Sequence, residues 1–121
     1  MNLIVKFGDK IIFKDDGKWL HPLFKLEKFL EKEEYDAEKL YLEDKVIGRG
    51  AAFLIAKMGF KRCHGRILSR KSIPVLERFG IEYTRDRVVN SIQCKTEREL
   101  KADFSLEKAY SILSKRAGRD G

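Results

Sequence analysis

Apolar and polar residues change rhythm several times along this chain, and each change marks the edge of an element. Leu3-Ile4-Val5-Lys6-Phe7 and Lys10-Ile11-Ile12-Phe13-Lys14 are short apolar runs joined by Gly8-Asp9. That pattern predicts two strands in a tight hairpin, with Asp15-Asp16-Gly17 breaking the second. Leu20, Leu23, Phe24, Leu26, Phe29 and Leu30 then recur at helical spacing, which predicts an amphipathic helix over about residues 20–32, with Pro22 tolerated in its first turn. After a loop at Glu33-Glu34-Tyr35-Asp36, Leu40 and Leu42 alternate with Lys39, Tyr41 and Glu43 as in a third strand, residues 38–43. The period switches again at Asp44-Lys45: Val46, Ile47, Gly50, Phe53 and Leu54 fall on helical spacing over residues 46–58. Gly48, Gly50, Ala51, Ala52 and Ala56 give this helix a smooth surface, so it is expected to lie buried against the sheet.

Gly59 supplies a left-handed stop, and residues 62–68 read as a fourth strand. Ser69 fits an N-cap for a third helix carrying Ser72, Ile73, Val75, Leu76 and Phe79 and ending at Gly80. Ile81-Glu82-Tyr83-Thr84 is a fifth strand, and Val88 to Gln93 is extended or irregular. Ser105-Leu106-Glu107-Lys108 opens a last helix running to about Lys115, and the tail 116–121 is expected to fray. An antiparallel pair followed by alternating helices and strands predicts a three-layer α/β sandwich on a mixed sheet with right-handed crossovers.

Length limits this pattern to one domain over residues 1–121, with 43% hydrophobic and 37% charged residues as in a soluble globular protein. No apolar run approaches the roughly 20 residues that span a bilayer, and Met1-Asn2-Leu3-Ile4-Val5-Lys6 lacks the order of a signal peptide. A cytoplasmic protein with no membrane partner is expected. Cys63 and Cys94 are too few for a disulfide scaffold and read as free thiols. The net charge of +7 is concentrated in residues 46–95, which hold 11 basic and 3 acidic side chains. Such a segment either attracts phosphates or nucleic acid or forms a solvated basic surface.

Strand-to-helix turns at the carboxyl ends of parallel strands are where ligands collect in open α/β sheets. Asp44, Lys45 and Gly48 sit at one such turn and Ser69 at the next, with Asn90 after the fifth strand. These five are the candidate ligand-binding residues, and an anionic ligand suits a lysine, a hydroxyl and helix amides. Cys94 is the candidate nucleophile, and as a structural residue it would be a small buried apolar group. His21 and His64 read as surface or structural residues.

Asp44-Lys45-Val46-Ile47-Gly48-Arg49-Gly50-Ala51-Ala52, Val75-Leu76-Glu77-Arg78-Phe79-Gly80-Ile81, and Asn90 with Cys94-Lys95-Thr96-Glu97 resemble the segments of an uncharacterised prokaryotic family, domain of unknown function 1893. In the last segment Lys95 stands where the family has proline. The resemblance covers nearly the whole chain. It implies a cytidine-deaminase-like fold: a five-stranded mixed sheet in the order 2-1-3-4-5 with helices on both faces. Zinc deaminases of that fold need three nitrogen or sulfur ligands and a Glu proton shuttle. The corresponding positions here read Asp44-Lys45-Val46 and Ser69-Arg70-Lys71-Ser72, and adjacent Cys63 and His64 point to opposite faces of a strand, so no metal and no cofactor is expected. Three functions remain open: a non-zinc domain binding a small anionic or nucleotide-like ligand at the carboxyl edge, an enzyme of unknown reaction using Cys94 or Lys45, and a nucleic-acid-binding module using the basic middle third. A homo-oligomer is compatible with each.

Overall fold

The computed structural model describes residues 2–92 and 94–118. Its strands are β1 (Leu3–Phe7), β2 (Lys10–Asp15), β3 (Tyr41–Ile47), β4 (Arg62–Ser69) and β5 (Glu82–Val89). The helices are α1 (His21–Glu33), α2 (Arg49–Met58), α3 (Ile73–Arg78), α4 (Lys95–Glu99) and α5 (Leu106–Arg116), with 3-10 turns at Ala37–Lys39 and Arg70–Ser72. The sheet runs β2-β1-β3-β4-β5, as expected. β1 is antiparallel to both neighbours, whereas β3, β4 and β5 are parallel.

Three boundaries differ from the sequence reading. β3 continues through Asp44 to Ile47, because its ladder with β4 pairs Val46 with Ile67 and Ile47 with Leu68. α2 therefore begins at Arg49 with Gly48 as its N-cap, and Asp44 is a strand residue. β5 extends through charged Arg85-Asp86-Arg87 to Val89, since an edge strand tolerates charge. Within the expected extended run, Asn90 to Ile92 are irregular and Gln93 lies outside the described residues, as do 119–121 of the expected frayed tail. α4 was not expected at all.

The expectation of helices on both faces is corrected. Leu3 and Val5, Leu42, and Cys63 are buried, and they share one side of the sheet through their registers. Ile4 and Lys6, Tyr41 and Glu43, and Arg62 and His64 alternate with them, and none of these is buried. Phe13 on the apolar side meets Phe29 of α1 at 5.2 Å between ring centroids. α2 packs on α1, α3, α4 and α5, so the five helices lie on that one side. One wetted face is the usual consequence of clean apolar alternation along strands.

This stacking explains the composition of α2. Every residue from Gly50 to Ile55 is buried, because the sheet lies beneath the helix and α5 crosses above it. A Cβ at Gly50 would stand 3.1 Å from Leu20 Cδ1 and 3.4 Å from Leu113 Cδ2, so glycine permits the close approach of α5 and the 17–20 turn. Burying Phe53, Leu54 and Ile55 contributes about 1.5–3 kcal/mol each. Among the described residues no helix is long and apolar enough to cross a membrane.

Candidate functional site

At the carboxyl end of β3 a cleft of about 400 Å³ opens between the first turn of α2, the 17–20 turn and the segment leading into α4. Asp44, Lys45, Gly48 and Cys94 line it, as do Trp19, Thr96 and Glu97. Four of the six residues expected from sequence thus meet in one place.

The 17–20 wall is held by hydrogen bonds from Asn2 on β1's approach and from within the turn. Asn2 Nδ2 donates to the carbonyls of Asp16 and Gly17 at 3.2 Å each, and Gly17 N donates to Asp15 Oδ1 at 2.6 Å. The turn leaves Trp19 at φ 57°, a left-handed conformation that a bulky residue adopts only at a cost of about 1–3 kcal/mol. Trp19 is 38% exposed, and its ring meets His21 edge-on at 5.1 Å. Backbone strain of this kind collects at ligand clamps.

Asp44 reaches the cleft from the apolar side of the sheet, opposite Leu3 and Gly65. Burial pushes its carboxyl up to about 7, against the opposing pull of the Lys45 and Val46 amides and the Arg66 charge. Lys45 N donates to Asp44 Oδ1 at 2.8 Å. No salt bridge neutralises Asp44 among the described residues. A carboxyl poised between its two states near neutral pH can accept or donate a hydrogen bond to a ligand, or move a proton.

The opposite wall depends on Glu97, which is 1% exposed. Ser69 Oγ donates to its Oε1, and Ile92 N donates to Oε2 at 3.1 Å. One carboxyl thereby ties the end of β4 to the segment that carries Cys94. Gly48 permits this closure: a Cβ there would collide with the Ile92 side chain and stand 3.3 Å from Glu97 Oε2. Cys94 Sγ lies 2.8 Å from Thr96 Oγ1. Partial burial raises its thiol, but hydrogen bonds from the Thr96 side chain, the Thr96 and Glu97 amides and the Trp19 side chain outweigh that and leave it below the ordinary value. Cys63, in contrast, is pushed up to about 12 by burial and the Asp44 charge, as suits an inert core thiol.

Ser69 and Asn90 lie outside the cleft. Ser69 is fully buried, occupied by Glu97 and by the Lys71 amide at 3.2 Å, so it builds the wall without facing the cavity. Asn90 is exposed and accepts from Arg70 Nε at 3.1 Å. Several cations of the basic middle third are structural: Arg49 donates to the Lys71 and Leu100 carbonyls at 2.9 Å each, and Arg78 to those of Ala102 and Phe104. Sequence reasoning missed Trp19 and Glu97 as site residues. Glu97 carried a signal in its place three residues after Cys94, whereas Trp19 carried none beyond following a turn.

The cleft's side chains do not suit zinc. Its donors are Asp44 and Cys94 with an already bonded Glu97, short of the nitrogen and sulfur set that such a site requires. Among the described residues no group of three or more His, Cys, Asp and Glu side chains could hold a metal ion. His64 is engaged on the open face, with Nδ1 2.6 Å from Thr84 Oγ1 and Nε2 3.2 Å from Asp86 Oδ1.

No curated protein matches this chain. The crystal structure of a DUF1893 family protein from Thermotoga maritima superposes with a TM-score of 0.82 at 20% sequence identity, covering 95% of this chain and 80% of that one. At that identity the likeness establishes the fold alone. Residues 2–114 match the family described as domain of unknown function DUF1893, and the chain belongs to that family.

Proposed function

We propose that this chain is a non-zinc, deaminase-like domain that binds a small anionic or nucleotide-like ligand in the cleft beside Asp44. The observation that carries this reading is convergence: the turn holding Asp44, Lys45 and Gly48, the remote Cys94 and the protein's single tryptophan, Trp19, come from three separate parts of the chain and line one cavity. A flat ring fits against Trp19 and the apolar side chains of Val46 and Ile92, while Lys45 and Lys18 offer positive charge at the same cavity. The deaminase-like assignment is supported by the 2-1-3-4-5 strand order, with β1 antiparallel to β3 and the last three strands parallel.

The single tryptophan makes the test direct. Nucleosides and nucleotides titrated into the protein should quench Trp19 fluorescence, with affinity weakened about 10-fold or more in Asp44→Ala and Lys45→Ala. Unchanged affinity in both variants would reject the cleft as the binding site.

A second reading, an enzyme using Cys94 as nucleophile, is favoured by the lowered thiol within the cavity. Iodoacetamide at neutral pH should then modify Cys94 faster than an unstructured cysteine peptide while sparing Cys63. Equal rates for Cys94 and the peptide would remove that reading.

A further inference from the structure

Beside the cleft lies a second cavity of about 380 Å³, lined by Lys71, Ser91, Ile92, Cys94, Lys95 and Arg98. Three of its six lining residues are cations and none is acidic. Lys71 comes from the 3-10 turn after β4, whereas Lys95 and Arg98 come from α4, so the charges converge from two parts of the fold. Among the described residues none of the three makes a salt bridge. Three like charges brought together without carboxylate compensation repel one another, and a multivalent anion relieves that repulsion. Ile92 and Cys94 also line the neighbouring cleft, so the two spaces adjoin.

We propose that the Lys71, Lys95 and Arg98 cavity is the phosphate subsite of the same ligand, which is therefore a phosphorylated molecule whose flat body occupies the Trp19 cleft. This rests on the cleft reading given above and narrows it: the anionic end lies in the adjoining cavity, whose lining does not include Asp44. Arg98 supplies a planar fork for phosphate oxygens, and the two lysines act as point charges. Ser91 adds a hydroxyl that can donate to phosphate. The separation is electrically sensible, because a phosphate placed next to Asp44 would oppose its ionisation.

The inference is tested by titrating adenosine, ADP and inorganic pyrophosphate into the wild type and a Lys71→Ala/Arg98→Ala variant. None of the three cationic side chains is buried, and circular dichroism and Tm check that the variant folds. In the wild type, ADP should bind at least about 10-fold more tightly than adenosine, and raised salt should erode that advantage. The variant should bind adenosine as the wild type does, lose the advantage of ADP and lose pyrophosphate binding. If the advantage of ADP survives in the variant, the phosphate subsite is wrong and the cleft reading stands. If pyrophosphate binds in a Lys71- and Arg98-dependent way but adenosine and ADP do not quench Trp19, the shared ligand is wrong and the cleft reading falls. Absence of binding by all three overturns both.

Discussion

Asp44 and Asp86 belong to the same sheet, two strands apart, and meet opposite surroundings. Asp86 lies on the open face with its side chain 64% exposed and His64 at 3.2 Å. Asp44 faces the helices, and burial raises its carboxyl to about 7. The same contrast extends to their surroundings. The open face carries cross-strand pairs such as Lys6–Glu43 at 3.7 Å, which water screens and which contribute about 0–1 kcal/mol. The cleft instead holds a half-buried carboxyl, a buried Glu97 and a perturbed thiol next to a strained tryptophan. Charge on this molecule is abundant, but at the cleft it is both costly and accessible, and that combination marks a site better than charge density does.

The contrast breaks most visibly at Glu97. Glu97→Ala leaves the buried Ser69 hydroxyl and the Ile92 amide without their acceptor, and should cost about 2–4 kcal/mol in urea denaturation and abolish ligand quenching of Trp19. A loss below about 1 kcal/mol would mean that the wall holds without this carboxyl.

Asp44→Asn should act in the opposite direction. The folded-state pKa of Asp44 is raised from 3.8 to about 7, so the folded protein binds more protons than the unfolded chain between those values. The favourable state is fully present below about pH 4 and is lost as pH rises through 7. Asp44→Asn removes the penalty while keeping an acceptor for Lys45 N, so it should stabilise the protein by on the order of 1–2 kcal/mol at pH 8. The gain should fade towards pH 4. A Tm difference independent of pH would contradict the assigned pKa. A variant that gains stability while losing affinity would show that the carboxylate is kept for binding.

The smallest effect belongs to the open face: Lys6→Ala should change stability by less than about 0.5 kcal/mol and leave Trp19 quenching unaltered. A larger change would mean that this face is covered by something in solution.

How much of this was legible in the sequence depended on whether the signal was local. The Gly8-Asp9 hairpin, the apolar α2 and the Ser105 cap, which accepts from Lys108 N at 3.1 Å, are short-range patterns and stood out. The β3 boundary was misplaced because Val46-Ile47 suits either period, and pairing with Ile67 and Leu68, far along the chain, decides it. α4 has only the five residues Lys-Thr-Glu-Arg-Glu and no apolar period; packing holds its Thr96 and Glu97 buried. The one-sided arrangement was written in the alternation of Leu3, Val5, Leu40 and Leu42 with polar neighbours, but the family resemblance pointed to two covered faces. At the site, turn chemistry pointed to Asp44, Lys45 and Gly48. Ser69 caps the turn after β4 but falls outside the cleft, because an N-cap serine reads the same in sequence whether it faces a cavity or a buried glutamate.

The central claim, that the cleft rather than the open face meets the ligand, is tested most directly by mapping backbone amide shifts on 15N-labelled protein during an ADP titration. The account expects shifts at Lys18, Trp19, Lys45, Gly48, Cys94 and Thr96, saturating with the same affinity as Trp19 quenching. Shifts confined to Lys6, Tyr41, Glu43, His64 and Thr84, or none at saturating ADP, would contradict it.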